Sequence, residues 1–288
     1  MKTVLILGKG FIGQGLTKYL KGRNISVEFY SRAELDYTDP LTLQQFLKDK
    51  YNNIEVVINC SGFTGRPNVD GCEDHKAECW FRNVIVPRNI VLSSNMFELP
   101  VFQVNSGCIY TGYEKEYSEL DEPNFGLFEN DSSFYSKTKH ACETIFKNCL
   151  VYSLRIRMPF EGSLDKKNYL YKLYKYNDLI SMPNSLTSTE DLYSFILKFI
   201  VLRGTLAPGP INVVNGGSIS AKEIIEIFKL KNINNPRWNF IELDSLNTKA
   251  KRSNCILSTD KLKAVNLQLP DTRASLERDI STFASLLQ

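Results

Sequence analysis

Thr3-Val-Leu-Ile-Leu7-Gly8-Lys9-Gly10-Phe11-Ile12-Gly13 decides the fold of this chain. The run Val4–Leu7 has the length and composition of a buried strand. The G-x-G-x-x-G that follows opens an amphipathic stretch, Phe11–Lys21. In such a turn Gly8 permits the tight bend, Gly10 lets a pyrophosphate approach the backbone, and Gly13 lets helix and strand pack closely. The first helical turn, with Phe11 and Ile12, then offers free N–H groups and a positive dipole end to phosphates. A glycine-rich turn is common by itself; between a first strand and a first helix it predicts dinucleotide binding. A triphosphate-type P-loop is excluded, because Lys9 is followed by Gly10 rather than by Ser or Thr.

Outward from this turn, apolar runs alternate with helical patterns. Strands are predicted at Thr3–Leu7, Val27–Tyr30, Glu55–Asn59, Val101–Asn105 and Tyr152–Ile156, and helices at Phe11–Lys21, Leu41–Lys48, Cys72–Ser94 and Tyr135–Lys147. That order predicts an α/β, doubly wound parallel sheet with helices on both faces and its ligand beyond the carboxyl ends of the strands. The second half is less regular. Strands are expected at Leu179–Met182 and Ile211–Val214, and helices at Thr189–Leu202, Ala221–Leu230 and Thr272–Leu287. The expected division is a nucleotide-binding domain over 1–158 and a mainly substrate-binding portion over 159–288, with later strands free to return to the sheet.

Composition narrows the class. The 288 residues are 43% hydrophobic with 17 Phe and 14 Tyr, so the chain can fill a core and is neither disordered nor fibrous. Thirty-five basic and 32 acidic residues are spread along it, which predicts neither a nucleic-acid groove nor a membrane-binding face. Seven cysteines without a C-x-x-C, and two histidines, make no metal constellation and predict free thiols in a reducing, cytoplasmic compartment. The apolar run at the amino terminus is too short for a secretory leader, and Leu192–Leu202 is too short to span a bilayer.

Candidate functional residues stand at the predicted strand ends. The second strand ends Phe29-Tyr30-Ser31-Arg32, and hydroxyl plus guanidinium suits a 2′-phosphate. The reading therefore favours NADPH over NADH, although Arg32 also fits a solvated loop. Asp36 can reach an adenine amino group or close a turn, and Cys60, Ser61 and Gly62 leave the third strand at the cofactor edge. In the loop Gly62–Asp70, Thr64 and Arg66 are candidates for substrate or pyrophosphate contacts, while Asp70 and Glu73 also read as a helix-start capping pair. Tyr135 and Lys139, four apart after the capping residues Asp131–Ser133, share one helical face. A protonated Lys139 is expected to lower the phenol from its usual value of about 10. Cys108, two residues beyond Ser106, is expected on the same face of a strand about 7 Å away; it also reads as a small core residue. Trp238 can stack on a base or sit in the core, and Arg252 can pair with phosphates.

These strings resemble the extended short-chain dehydrogenase/reductase superfamily. More narrowly they resemble its dTDP-4-dehydrorhamnose reductase branch, and within it the bifunctional nucleotide-rhamnose synthase/epimerase-reductases of plants and giant viruses. The resemblance rests on Gly62–Asp70 with Cys72-Glu73 and His75-Lys76, Ser106–Ile109, Phe134–Lys139, Leu154–Pro159, Pro183–Thr187 and Arg252–Asn254. It implies a Rossmann-type fold and a triad of Ser106, where the family usually has Thr, with Tyr135 and Lys139. It further implies Lys172 as the partner of Cys108 in epimerisation and Asn83 as support for the active-site lysine. The implied activity is a 3,5-epimerase and NADPH-dependent 4-keto-reductase converting UDP-4-keto-6-deoxy-D-glucose to UDP-L-rhamnose. A separate 4,6-dehydratase would supply that ketone, and a homodimer is the superfamily's habit. Two alternatives stand beside it: a dTDP-4-dehydrorhamnose reductase without epimerase activity, and a non-catalytic, reductase-fold regulatory subunit.

Overall fold

The structure, a computed structural model, describes residues 2–288. Its first half runs β1 (Thr3–Leu7), α1 (Phe11–Lys21), β2 (Val27–Tyr30), α2 (Pro40–Lys50) and β3 (Ile54–Asn59). Then come α3 (Gly71–Asp74), α4 (Lys76–Trp80), a π-helical turn Phe81–Ile85, α5 (Val86–Asn95), β4 (Val101–Ser106), β5 (Gly112–Tyr117), α6 (Phe134–Thr144) and β6 (Val151–Ile156). The second half contains β7 (Pro159–Phe160), α7 (Tyr169–Lys175), β8 (Asp178–Ile180), β9 (Thr187–Ser188), α8 (Thr189–Leu202) and β10 (Gly209–Asn212). It closes with α9 (Ala221–Leu230), β11 (Asn239–Ile241), β12 (Cys255–Leu257), α10 (Asp260–Lys263) and α11 (Thr272–Ser285).

Six strands form one sheet in the order β10-β6-β4-β3-β1-β2, with every neighbouring pair parallel. Side-chain alternation divides each strand between two cores. Val4, Ile6, Val56 and Ile58 pack with Leu16 and Leu20 of α1 and with Ile196 and Phe199 of α8. Leu5, Leu7 and Val57 face the other way, onto Leu43 and Leu47 of α2, Ile90 and Val91 of α5 and Cys142 of α6, and Ile54 joins them because the register shifts between Thr3 and Val4. The result is the expected three-layer α/β/α arrangement. Strand order reverses between β1 and β3, which places the ligand crevice beyond Leu7 and Asn59.

One expectation about the elements is corrected, and one allowance is used. Past residue 158, α8 and β10 return to the sheet layers, as the soft boundary allowed. A separate core of Phe160, Leu170, Ile224, Phe228, Leu276 and Phe283 holds the carboxyl-terminal portion. The long helix over 72–94 is broken. His75 leaves helical geometry (φ −123°, ψ 51°), and the helix resumes only to widen into the π turn at Phe81–Ile85. Pro87 has no N–H to return to the carbonyl four residues earlier, which removes the bond that would keep Asn83 in regular α geometry.

Candidate active site

The phosphate turn is built as its glycines require. Gly8 has φ +102°, and a Cβ there would stand 2.6 Å from the Ser61 nitrogen, so the turn rests directly on the Cys60–Ser61 backbone. A Cβ on Gly13 would collide with the Gly8 carbonyl oxygen and approach Cys60 Cβ at 3.3 Å. A Cβ on Gly10 would meet nothing within 4 Å, so the turn opens into space there. Gly10 caps α1 without a side chain, and the first turn carries no acid, so the amides near Phe11 and Ile12 face that space unopposed by negative charge. This cradle fits a dinucleotide pyrophosphate. On the third strand, Ser61 donates from N (2.9 Å) and Oγ (2.5 Å) to Asn59 Oδ1. Burial pushes the Cys60 thiol up to about 12, so it stays protonated beside the turn.

At the end of β2 the structure adds a residue that the sequence reading missed. Glu34 accepts hydrogen bonds from Ser31 N and Ser31 Oγ, both at 2.7 Å, and from Lys9 Nζ at 2.6 Å. Lys9 and then Ser31 hold its carboxyl down at about 2. The Ser31-x-x-Glu34 spacing is that of a capping box and was the available signal. Arg32 is exposed beside this cluster. Asp36 uses Oδ1 on Thr38 N (3.1 Å) and Thr38 Oγ1 (2.5 Å), the geometry of a turn.

Ser106, Tyr135, Lys139 and Cys108 come together at the carboxyl end of β4. Ser133 caps α6 by accepting from Ser136 N at 3.1 Å, which fixes where Tyr135 emerges. Lys139 Nζ lies 5.6 Å from the Tyr135 ring centre and 3.8 Å from where a Gly62 Cβ would be. The ammonium thus lies beside the Gly62 backbone, at ordinary contact distance from a Cβ placed there. The expected lowering of the tyrosine is corrected: burial raises it, Cys108 adds to the rise, and the Ser106 hydroxyl only partly opposes it. Burial likewise lowers Lys139. Cys108 is not on a strand, because β4 ends at Ser106 and the chain turns at Gly107. The turn is closed by Cys108 N donating to Ser106 Oγ at 3.1 Å, which keeps the half-buried thiol beside the cluster.

Other expected residues divide. Asn83, 1% exposed, brackets the Phe63 backbone with two 2.8 Å bonds and donates to Thr138 Oγ1 at 3.1 Å. Its amide is used within the protein, one residue from Lys139. Arg252 pairs with Asp70 at 2.9 Å and donates to the Ala250 carbonyl at 2.8 Å. Asp70 and Glu73 do not cap α3. Instead Glu73 accepts from Phe134 N at 2.7 Å and caps the helix that carries Tyr135. Trp238 donates to the Leu173 carbonyl at 2.8 Å and packs on Phe228, which makes it part of the carboxyl-terminal core. Thr64 and Arg66 are exposed on the loop after β3. Lys172 is half-buried on α7; burial lowers its pKa, Lys167 adds to the lowering, and Asp165 opposes it.

Among the described residues no group of three His, Cys, Asp or Glu could hold a metal, and no helix is long and apolar enough to cross a membrane. Residues 1–285 match the RmlD substrate-binding domain family. The chain is 31% identical over 284 residues to a bifunctional dTDP-4-dehydrorhamnose 3,5-epimerase/dTDP-4-dehydrorhamnose reductase of Arabidopsis thaliana, covering 94% of this chain and 90% of that protein. It is 32% identical over 286 residues to a trifunctional UDP-glucose 4,6-dehydratase/UDP-4-keto-6-deoxy-D-glucose 3,5-epimerase/UDP-4-keto-L-rhamnose-reductase of the same plant. That match covers 94% of this chain and 40% of the longer protein. The crystal structure of a UDP-rhamnose synthase from Acanthamoeba polyphaga mimivirus has the same fold, with a TM-score of 0.87 at 24% identity over 98% of this chain and 99% of that one.

Proposed function

The chain belongs to the RmlD substrate-binding domain family, and from that premise we propose that it is a nucleotide-sugar epimerase-reductase acting on UDP-4-keto-6-deoxy-D-glucose. The observation that carries the reading is the meeting of Ser106, Tyr135, Lys139 and Cys108 beside the crevice that Gly8, Gly10 and Gly13 open. The proposed product is UDP-L-rhamnose, by epimerisation at carbons 3 and 5 and reduction of the ketone at carbon 4. A separate 4,6-dehydratase would make the substrate. NADPH is the proposed reductant, supported by the exposed Arg32 guanidinium after β2 and opposed there by the Glu34 carboxylate, which holds Ser31.

The residues divide the work as follows. Ser106 donates to the ketone oxygen. Tyr135, kept protonated by burial, transfers its proton to that oxygen. Lys139 supplies positive charge beneath the phenol. When bound in the cradle, the reduced dinucleotide supplies the hydride. Before reduction, Ser106 and Tyr135 also stabilise the enolate that forms when a neighbouring carbon loses its proton. Cys108 takes that proton on one face. Lys172, its ammonium weakened by burial, returns one from the other.

A reductase without epimerase activity is the second reading. It is favoured by Lys172, whose charged neighbours are Lys167 and Asp165 and not the groups around Cys108. The test is incubation with the keto-sugar nucleotide in heavy water with NADPH omitted. Deuterium at carbons 3 and 5, lost in Cys108→Ala, is the expected result. Absence of deuterium, with NADPH still consumed when it is supplied with an epimerised substrate, leaves the reductase alone.

A further inference from the structure

Arg157 follows β6 directly and is 1% exposed. Its Nη1 donates to Ser253 Oγ (2.9 Å), to the Gly107 carbonyl (3.2 Å) and to Cys108 Sγ (3.6 Å). Nη2 donates to Asn184 Oδ1 (2.5 Å) and to the Ser253 carbonyl (3.1 Å), while Nε is buried without an acceptor. None of these acceptors is a carboxylate. Arg155, two residues earlier and equally buried, shows the ordinary arrangement: Glu143 neutralises it with bonds of 2.6 to 3.1 Å. A guanidinium does not shed its proton, so Arg157 is a permanent cation in the interior, met by neutral groups and one sulfur.

We propose that Arg157 is the counter-cation of the Cys108 thiolate and so the positioning residue for the acid–base step assigned to that cysteine. The proposal rests on the epimerase reading above and goes beyond it by naming the group that charges its base. The other ionisable groups near Arg157 are poorly suited to balance it. Burial pushes Tyr169 up to about 12 and raises Tyr113 and Cys255, so all three stay neutral near neutral pH. Around the thiol itself stand Tyr135, Lys139, Arg157 and Cys255. Gly107 makes the contact reachable: a Cβ there would lie 3.1 Å from Arg157 Cγ and 2.5 Å from Leu257 Cδ1, so the arginine stem passes under the turn only beside glycine. In the step itself the substrate C–H bond breaks, an S–H bond forms on Cys108, and the electron pair moves to the carbonyl oxygen as an enolate. Arg157 makes and breaks no bond.

The pairing is tested on the full chain without substrate, by iodoacetamide alkylation of Cys108 at neutral pH, read by mass spectrometry with Cys149 as internal reference. In wild type Cys108 is expected to react faster than Cys149. Arg157→Gln should slow Cys108 alkylation at least tenfold, leaving Cys149 unchanged. Arg157→Lys, which keeps the charge, should recover most of the rate. A wild-type Cys108 that reacts no faster than Cys149 overturns the proposal, even if Arg157→Gln does not fold. Equal slowing in the Lys and Gln variants also overturns it, because shape rather than charge would then matter. Deuterium uptake by wild type is read separately: its absence defeats the epimerase reading, while the alkylation profile alone decides the pairing.

Discussion

Tyr135 stands among a hydroxyl, a thiol and an ammonium, and the burial that raises its pKa lowers that of Lys139. Such a phenol holds its proton across the neutral range and serves as a donor, so Tyr135→Phe should lower the reduction rate by on the order of 10² to 10⁴. Thermal stability and dinucleotide binding should change little, and a melting curve with a fluorescence titration checks both. Glu34 acts at the opposite end of the crevice. Its carboxylate occupies both donors of Ser31 and would repel a 2′-phosphate. Glu34→Gln should therefore tighten NADPH several-fold while leaving NADH unchanged; equal changes in the two dissociation constants would contradict that role. Residue placement was readable from spacing where partners are local, as for Gly8–Gly13 and the Tyr135–Lys139 pair, but the direction of the tyrosine's shift was not, because burial by the tertiary fold sets it. It was not readable for Arg157 or Arg252, whose partners lie 96 and 182 residues away.

α6 carries Tyr135 and Lys139, and its start is held from two sides. Ser133 accepts from Ser136 N, and Glu73, brought from α3, accepts from Phe134 N at 2.7 Å. A carboxylate at a helix amino terminus satisfies an orphan donor and meets the positive dipole end. Glu73→Ala should cost about 1 kcal/mol, read as a fall of roughly 2–4 °C in Tm, with a larger proportional loss of activity if the frayed turn displaces Tyr135. Unchanged stability would show that solvent replaces the cap. At this scale the sheet was legible, because buried parallel strands are uninterrupted apolar runs. β5 was not: Gly112-Tyr-Glu-Lys-Glu-Tyr117 is mostly polar, and it exists because β12 pairs with it from the far end of the chain. The helix over 72–94 read as continuous because apolar periodicity persists through its breaks, whereas the bond missing at Pro87 widens the turn around Asn83.

For the whole molecule, the carboxyl-terminal portion is tied to the loop after β3 by Arg252–Asp70, with Lys249–Asp74 beside it on the surface. Burial raises the Asp70 carboxyl, but Arg252 and the Ala250 amide outweigh it and leave the pKa below its ordinary value. The stability from this tie is therefore complete above about pH 4 and is lost as pH falls through the depressed folded value. Wild type should lose Tm more steeply than Asp70→Asn below pH 4, and parallel curves would contradict the assignment. The division between sheet and cap was only partly legible, since a strand such as β10 joins a sheet through backbone pairing that its four residues do not announce. All of the functional account depends on one group protonating a sugar ketone beside the dinucleotide crevice. The most direct test is the initial rate of NADPH oxidation with an epimerised UDP-4-keto-6-deoxyhexose, wild type against Tyr135→Phe. The account predicts oxidation coupled to UDP-L-rhamnose formation that falls at least a hundredfold in the variant; bound NADPH that wild type does not oxidise, or equal rates in the two proteins, would contradict it.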